Sequence, residues 1–290
     1  MVSFDSKTNA FDKAKISLIF LKIREKLQRR YKYFRTTIDP LYRKLKYFLT
    51  EQGSAPKSLK IIHVNPEKIE LLTYPCFHWS IGSFGTHIIG GNWDIVDEEY
   101  NLSEAERMGS NRGLQYIKLV KIEKYGLYRA SKKRYLQGKN WNDTEIMNFS
   151  ELKKEPKSYR KNIKKSIEIM DNIVNNIKNE GYLNQTELDN KYGRIGKDPY
   201  FPPEHSEILV NIGRDGEIIF EDGRHRLIAA KILNIKKIPA RVLVRHKKWQ
   251  QLRKTLYNAK YMKNLTIQQQ LYLRHPDMND LMEYLQKNTD

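Results

Sequence analysis

The sequence predicts an α+β fold: one main domain with helical extensions at both ends. Three observations carry this. Residues 207–221 read as two short apolar strands joined by a tight turn. Residues 222–244 follow as a turn, an alanine-rich helix and a further strand. Elsewhere several stretches show helical periodicity, the clearest being 157–180, where Ile163, Ile167, Met170, Val174 and Ile177 share one face and lysines occupy much of the rest.

In chain order, residues 15–36 place Ile16, Ile19, Phe20, Ile23, Leu27, Tyr31 and Phe34 at helical spacing, with Lys22, Arg24, Lys26, Arg29 and Arg30 mostly elsewhere on the wheel. This is a basic amphipathic helix, and a second short one follows Pro40. Such helices dock an apolar stripe on a domain or lie on an anionic membrane surface. Residues 51–58 read as a linker, and 59–73 as a strand and turn. Residues 74–94 hold two tryptophans and two histidines and few charges. They read as an aromatic-rich hairpin, with Gly90-Gly91 before Asn92-Trp93-Asp94 as a turn able to approach a ligand. Ser103 to Glu106 reads as a capping box, 125–138 as a helix closed by Gly138, and 139–146 as a polar loop holding Trp141, Asp143 and Thr144. Gly181 ends the helix at 157–180, and a short helix is expected at 184–193. "EILVNIG" alternates as a strand, "RDG" turns the chain and "EIIFE" returns. After "IPARVLV", residues 247–290 read as helices, one starting with Pro276 near its first position.

The 290 residues carry a formal charge of +19, which favours anionic partners: nucleic acid, nucleotide, anionic lipid or glycan. The excess is uneven, with 15 Lys/Arg against 5 Asp/Glu in residues 1–60. One cysteine, Cys76, excludes a disulfide framework and a cysteine-built zinc site, and fits a reducing, cytoplasmic setting. No metal ligand is assigned. No apolar run approaches the roughly 18 residues that span a bilayer, and the N-terminal pattern is not that of a signal peptide.

The densest charge lies at a junction. "EDGRHR", residues 221–226, separates a strand from a helix. The first turn of a helix has unpaired N–H groups and the positive end of the dipole. Arg224, His225 and Arg226 add donors there, and Gly223 lets the backbone turn sharply. Together these make an anion site suited to phosphate. Asp222 is placed to cap the helix, hold a metal or orient His225. The plainer alternative is a surface turn in which Arg224 and Arg226 pair with Glu221 and Asp222.

Residues 207–246, "EILVNIGRDGEIIFEDGRHRLIAAKILNIKKIPARVLVRH", resemble the core of the ParB/sulfiredoxin superfamily. Within it the chain is similar to archaeal-type ParB-like proteins carrying "NIGRDG", "DGRHR" and "VRHKKWQ", with "GGNWD"-like and "W-D-T"-like segments upstream, as in 90–94 and 141–144. The resemblance implies a mixed sheet with surrounding helices over 59–246, a helical insertion at about 100–193, a basic extension and linker at 1–58 and C-terminal helices at 247–290. The sulfiredoxin cysteine position is Arg224 here, so that chemistry is not expected. A free serine kinase of the fold has a "DGHHR"-like turn, close to 222–226. By that likeness Gly223, Arg224, His225 and Arg226 hold the phosphates of ATP or CTP, with Mg²⁺ alongside, and Asp222 or His225 acts as base in a phosphotransferase or NTPase. Glu221, Asp94 and Asp143 are further candidates, Asp94 through a segment closing over the nucleotide. The alternative is a DNA-binding ParB-like protein, with or without nuclease activity. A third expectation places a cytoplasmic enzyme at the inner membrane face through residues 15–49.

Overall fold

The computed structural model describes residues 51, 54, 60–82, 85–108, 113–147, 157–193 and 201–288. The basic helices expected at 15–36 and after Pro40 lie outside them. Among the described residues the fold is α+β: a seven-stranded mixed sheet with nine α-helices around it. No helix there is long and apolar enough to cross a membrane.

The strands are β1 (Ile61–Val64), β2 (Leu71–Tyr74), β3 (His87–Ile89), β4 (Lys118–Lys121), β5 (Ile208–Ile212), β6 (Ile218–Asp222) and β7 (Ile238–His246). Their order is β1-β7-β5-β6-β2-β4, and β3 joins β7 parallel along His87–Ile89. The expected hairpin is present, β5 and β6 being antiparallel. Parallel pairings flank it, β5 with β7 and β2 with β6. The sheet is therefore mixed, and β5 lies at its centre. All five β5 residues are buried, so the strand is covered on both faces and does not alternate as its sequence suggested.

The helices are α1 (Phe77–Ile81), α2 (Leu102–Met108), α3 (Gly126–Leu136), α4 (Lys157–Glu180), α5 (Gln185–Tyr192), α6 (Arg224–Ile232), α7 (Lys247–Asn258), α8 (Ile267–Tyr272) and α9 (Asn279–Lys287). One face of the sheet carries the larger core. Val210, Ile212 and Phe220 meet Leu227 and Ile228 of α6, Met170 and Val174 of α4, and Leu127 and Tyr128 of α3. Trp249, Leu256, Met278, Leu281 and Leu285 belong to the same core, so the C-terminal helices pack as part of the main fold. The other face holds a smaller cluster in which Leu209, Ile219 and Leu243 meet Phe77 of α1 and Trp93.

Two local expectations are corrected. Residues 74–94 are no hairpin. They run from β2 into α1 and then into β3, which pairs with β7 because His87–Ile89 finds that strand's free edge beyond β1. At the start of α2 the cap is Asn101 in place of Ser103. The Asn101 Oδ1 accepts from the Glu104 backbone N–H at 3.1 Å, and its Nδ2 donates to the Glu104 carboxylate at 3.2 Å. Asparagine caps as well as serine, and taking the cap two residues earlier leaves Glu106 to turn inward.

Candidate functional site

Parallel pairing of β2 with β6 brings two chain segments together at one end of the sheet. The C-terminal end of β2 leads into Cys76 and α1, and the C-terminal end of β6 leads into Gly223 and α6. Asp222, Leu209 and Arg241 form one row across β6, β5 and β7 there.

Gly223 is the N-cap of α6, in the left-handed region at φ 94°. A Cβ at this position would lie 3.1 Å from Ile208 Cγ1 and 3.2 Å from its Cα, so the turn calls for glycine on both counts. The expected capping by Asp222 is not seen. Its Oδ1 accepts from the adjacent Gly223 N–H at 2.7 Å, which holds it off the helix axis, and no side chain caps the first turn. The first-turn N–H groups of Arg224, His225 and Arg226 have no side-chain acceptor among the described residues.

The two arginines part ways. Arg224 is exposed, and its Nη1 donates to the Tyr125 hydroxyl at 2.9 Å. The neighbouring Tyr125 and Glu106 hold its guanidinium firmly in the charged form. Arg226 folds back instead. It donates to Glu207 Oε2 at 3.0 Å and to the Ser206 carbonyl, so it ties α6 to the segment before β5. Neither arginine pairs with Glu221 or Asp222 through a hydrogen bond seen among the described residues. Burial, with Arg224 adding, pushes the His225 imidazole down to about 4, so it is neutral at pH 7, and its Nε2 has no hydrogen-bond partner. Burial raises Glu106 to about 7 against the pull of Arg224 and Arg129. Arg241, the β7 member of that row, is buried and donates to the His205 carbonyl at 3.3 Å; burial lowers it to about 10, which leaves it cationic at neutral pH.

Glu221 is the residue whose place the sequence least suggested. It is 0 % exposed. Its Oε2 accepts from Thr73 Oγ1 at 2.5 Å and Asn211 Nδ2 at 2.8 Å. Its Oε1 accepts from the His78 backbone N–H at 2.8 Å and lies 3.1 Å from His78 Nδ1. The other ring nitrogen of His78 lies 3.6 Å from Asp222 Oδ2. Cys76 donates its thiol to the Glu221 carbonyl at 3.1 Å. Burial and the carboxylates of Glu221 and Asp222 push that thiol well above its usual range, so it stays protonated.

Asp94 and Asp143 are not part of this group. Asp94 lies at the other end of β6, about 13 Å of strand away. There Arg214 grips it, with Nε and Nη2 donating to Oδ1 at 3.0 and 2.6 Å and its backbone N–H to Oδ2 at 2.6 Å. Burial works against the charge on Asp94, but the Arg214 bonds outweigh it and its carboxyl titrates below the usual range. His246 Nε2 meets the Gly91 carbonyl at 2.9 Å, so "GGNWD", "GRDG" and "VRH" converge on one structural joint. Asp143 accepts from the Asn140 N–H at 3.3 Å within a loop turn.

Thr73, Cys76, His78 and Asn211 went unread in the sequence because parallel pairing of distant segments assembles them. One signal was present: Asn211 interrupts an apolar strand, and a buried amide needs partners. Compared with protein-family models, curated proteins and solved structures, the chain matches none.

Proposed function

We propose that the turn from β6 to α6 binds the phosphate groups of a nucleotide, ATP or CTP, in a ParB/sulfiredoxin-like protein acting as a phosphotransferase or NTPase. The observation that carries this is the start of α6: N–H groups with no side-chain cap, next to an exposed, firmly charged Arg224. That arrangement suits a multiply charged anion, with Gly223 giving close backbone approach and Arg224 the charge. Tyr125 holds the Arg224 guanidinium in place, which lowers the ordering cost of binding.

Phosphoryl transfer is mainly charge neutralisation and positioning. Mg²⁺ would supply part of that neutralisation, and Asp222, with its side chain 55 % exposed, is the carboxylate at the turn that would hold it. His225 is unprotonated at pH 7 with its Nε2 unpartnered, so it is the base the turn offers: weak beside Arg224 alone, and strengthened once bound phosphates offset that charge. Arg226, bound to Glu207, fixes the helix and has no direct part.

Calorimetry with ATP and CTP in the presence of Mg²⁺ tests the reading. One of the two should bind, and Arg224→Ala should weaken binding at least tenfold, about 1.4 kcal/mol. Heat from neither nucleotide would sink it.

A second reading, DNA binding, draws on the exposed Lys161, Lys164, Lys165 and Lys178 of α4, opposite its buried Ile163, Ile167, Met170 and Val174. Affinity for duplex DNA should then fall steeply with salt as counterions are released.

A further inference from the structure

We propose that Cys76, His78 and Glu221 form a binding site for one divalent transition-metal ion of the zinc class, a mixed donor set in which the single cysteine, too few for a cysteine-built site, is one ligand of three. The first support is the donor set. A thiol sulfur, an imidazole nitrogen and a carboxylate oxygen lie within 4.8 Å of one another. Zinc–ligand bonds of about 2.0–2.3 Å in tetrahedral geometry set donors roughly 3.3–3.6 Å apart. His78 Nδ1 and Glu221 Oε1, at 3.1 Å, are already near that spacing. Sulfur, nitrogen and oxygen donors together suit zinc, cobalt and iron over magnesium or calcium.

The second support is a missing counter-charge. Glu221 is 0 % exposed, yet among the described residues no lysine or arginine forms an ion pair with it, and its one such partner is His78. Buried carboxylates are otherwise paired or bound to metal. A divalent ion with the Cys76 thiolate and the Glu221 carboxylate makes a neutral set.

The third support lies around the donors. Thr73 and Asn211 hold the second oxygen of Glu221, and His78 Nε2 faces Asp222 at 3.6 Å. A carboxylate behind the far nitrogen of a histidine places the proton on that nitrogen and frees the near one to ligate. Locally, Cys76 is the N-cap of α1 and His78 its second residue, so a short stretch delivers two donors to the end of β6. On binding, the Cys76 S–H bond breaks, its proton passes to solvent and the sulfur lone pair forms the bond to the ion. Three protein ligands leave a further position open, as in catalytic sites. The metal site shares Asp222 with the nucleotide turn, so it is tested without nucleotide.

Cobalt(II) titration of the full chain, without nucleotide, is the test. One equivalent should bind with a thiolate-to-cobalt charge-transfer band. Cys76 is the chain's single cysteine, so the band from the wild type already assigns the ligand. Cys76→Ser should abolish the band, His78→Ala should weaken binding at least tenfold, and Asp222→Asn should weaken it about 10-fold to 100-fold. Zinc should displace the cobalt, and X-ray absorption of the wild-type zinc complex should show one sulfur neighbour among nitrogen and oxygen, which needs no variant to fold. Absence of stoichiometric binding, binding without a sulfur neighbour, or unchanged affinity in folded His78→Ala would overturn the assignment. Nucleotide calorimetry is read separately, so either proposal can fail alone.

Discussion

Two buried carboxylates at opposite ends of the sheet are handled in opposite ways. Asp277, 0 % exposed, is enclosed by cations. Arg245 grips it through Nε, at 2.7 Å, and Nη2; Trp249 Nε1 donates at 3.0 Å; Arg253 and Lys60 bond its backbone carbonyl. Burial opposes its charge, but Arg245 and Arg253 outweigh burial and hold its carboxyl well below the usual range. The Glu221 carboxylate is as deeply buried and, among the described residues, meets Thr73, Asn211 and His78. The first arrangement supplies its own counter-charges and fastens α7 and the chain before α9 to β7. The second leaves a charge without a fixed cation beside an uncapped helix, which is the condition for taking a ligand.

The contrast predicts unequal responses to removing one charge. Asp277→Asn leaves Arg245 buried without its counter-ion, while Arg253 keeps Asp280, and should cost about 3–5 kcal/mol, read from urea unfolding. A loss under about 1 kcal/mol would make the network dispensable.

A smaller effect concerns the turn itself. His225 is lowered to about 4 from an ordinary 6.5, so the unfolded chain takes its proton first. Its contribution to stability is present above pH 6.5 and is lost as pH falls toward 4. Glu106, raised to about 7 from 4.5, has the opposite sign: its contribution is present below pH 4.5 and is lost as pH rises through 7. The two offset each other in the wild type. Glu106→Gln should therefore show an unfolding midpoint that drops from pH 6.5 to 4.5, and His225→Gln one that drops from pH 5 to 7. Parallel pH profiles for both variants would show that the two groups are not perturbed in these directions.

The smallest change is expected at Glu221. Glu221→Gln removes the buried charge but sets an amide NH₂ against the Asn211 Nδ2 or His78 N–H donor, so it should cost about 1–3 kcal/mol while abolishing cobalt binding. A cost equal to that of Asp277→Asn would erase the distinction between the two ends.

Much of the scaffold is legible in the sequence. The helix at Lys157–Glu180 shows as an apolar stripe, and the β5–β6 hairpin with the turn into α6 shows as strand, turn and helix signals within twenty residues. These are local patterns. The candidate site is only half local. Gly223, Arg224 and His225 can be read from one stretch, but the company of Glu221 cannot: Thr73 and His78 lie 148 and 143 positions away. Arg226 shows the converse limit. Its charge suggested a phosphate ligand, and only the fold reveals Glu207 as its partner. Asp94 was drawn toward the nucleotide because its neighbours are glycines, yet strand direction puts it at the far end of β6.

The edge strand β1 carries a consequence for how the chain is made. Ile61 pairs with Arg241, 180 residues later, and Lys60 bonds to Asp280. At about 5–20 residues per second, β1 leaves the ribosome roughly 9–36 seconds before its partner strand is synthesised. Until then it is an unpaired apolar edge, open to other chains. Biogenesis, more than the finished fold, is where this protein is exposed to aggregation, and slowing translation after residue 64 should raise its demand for chaperones.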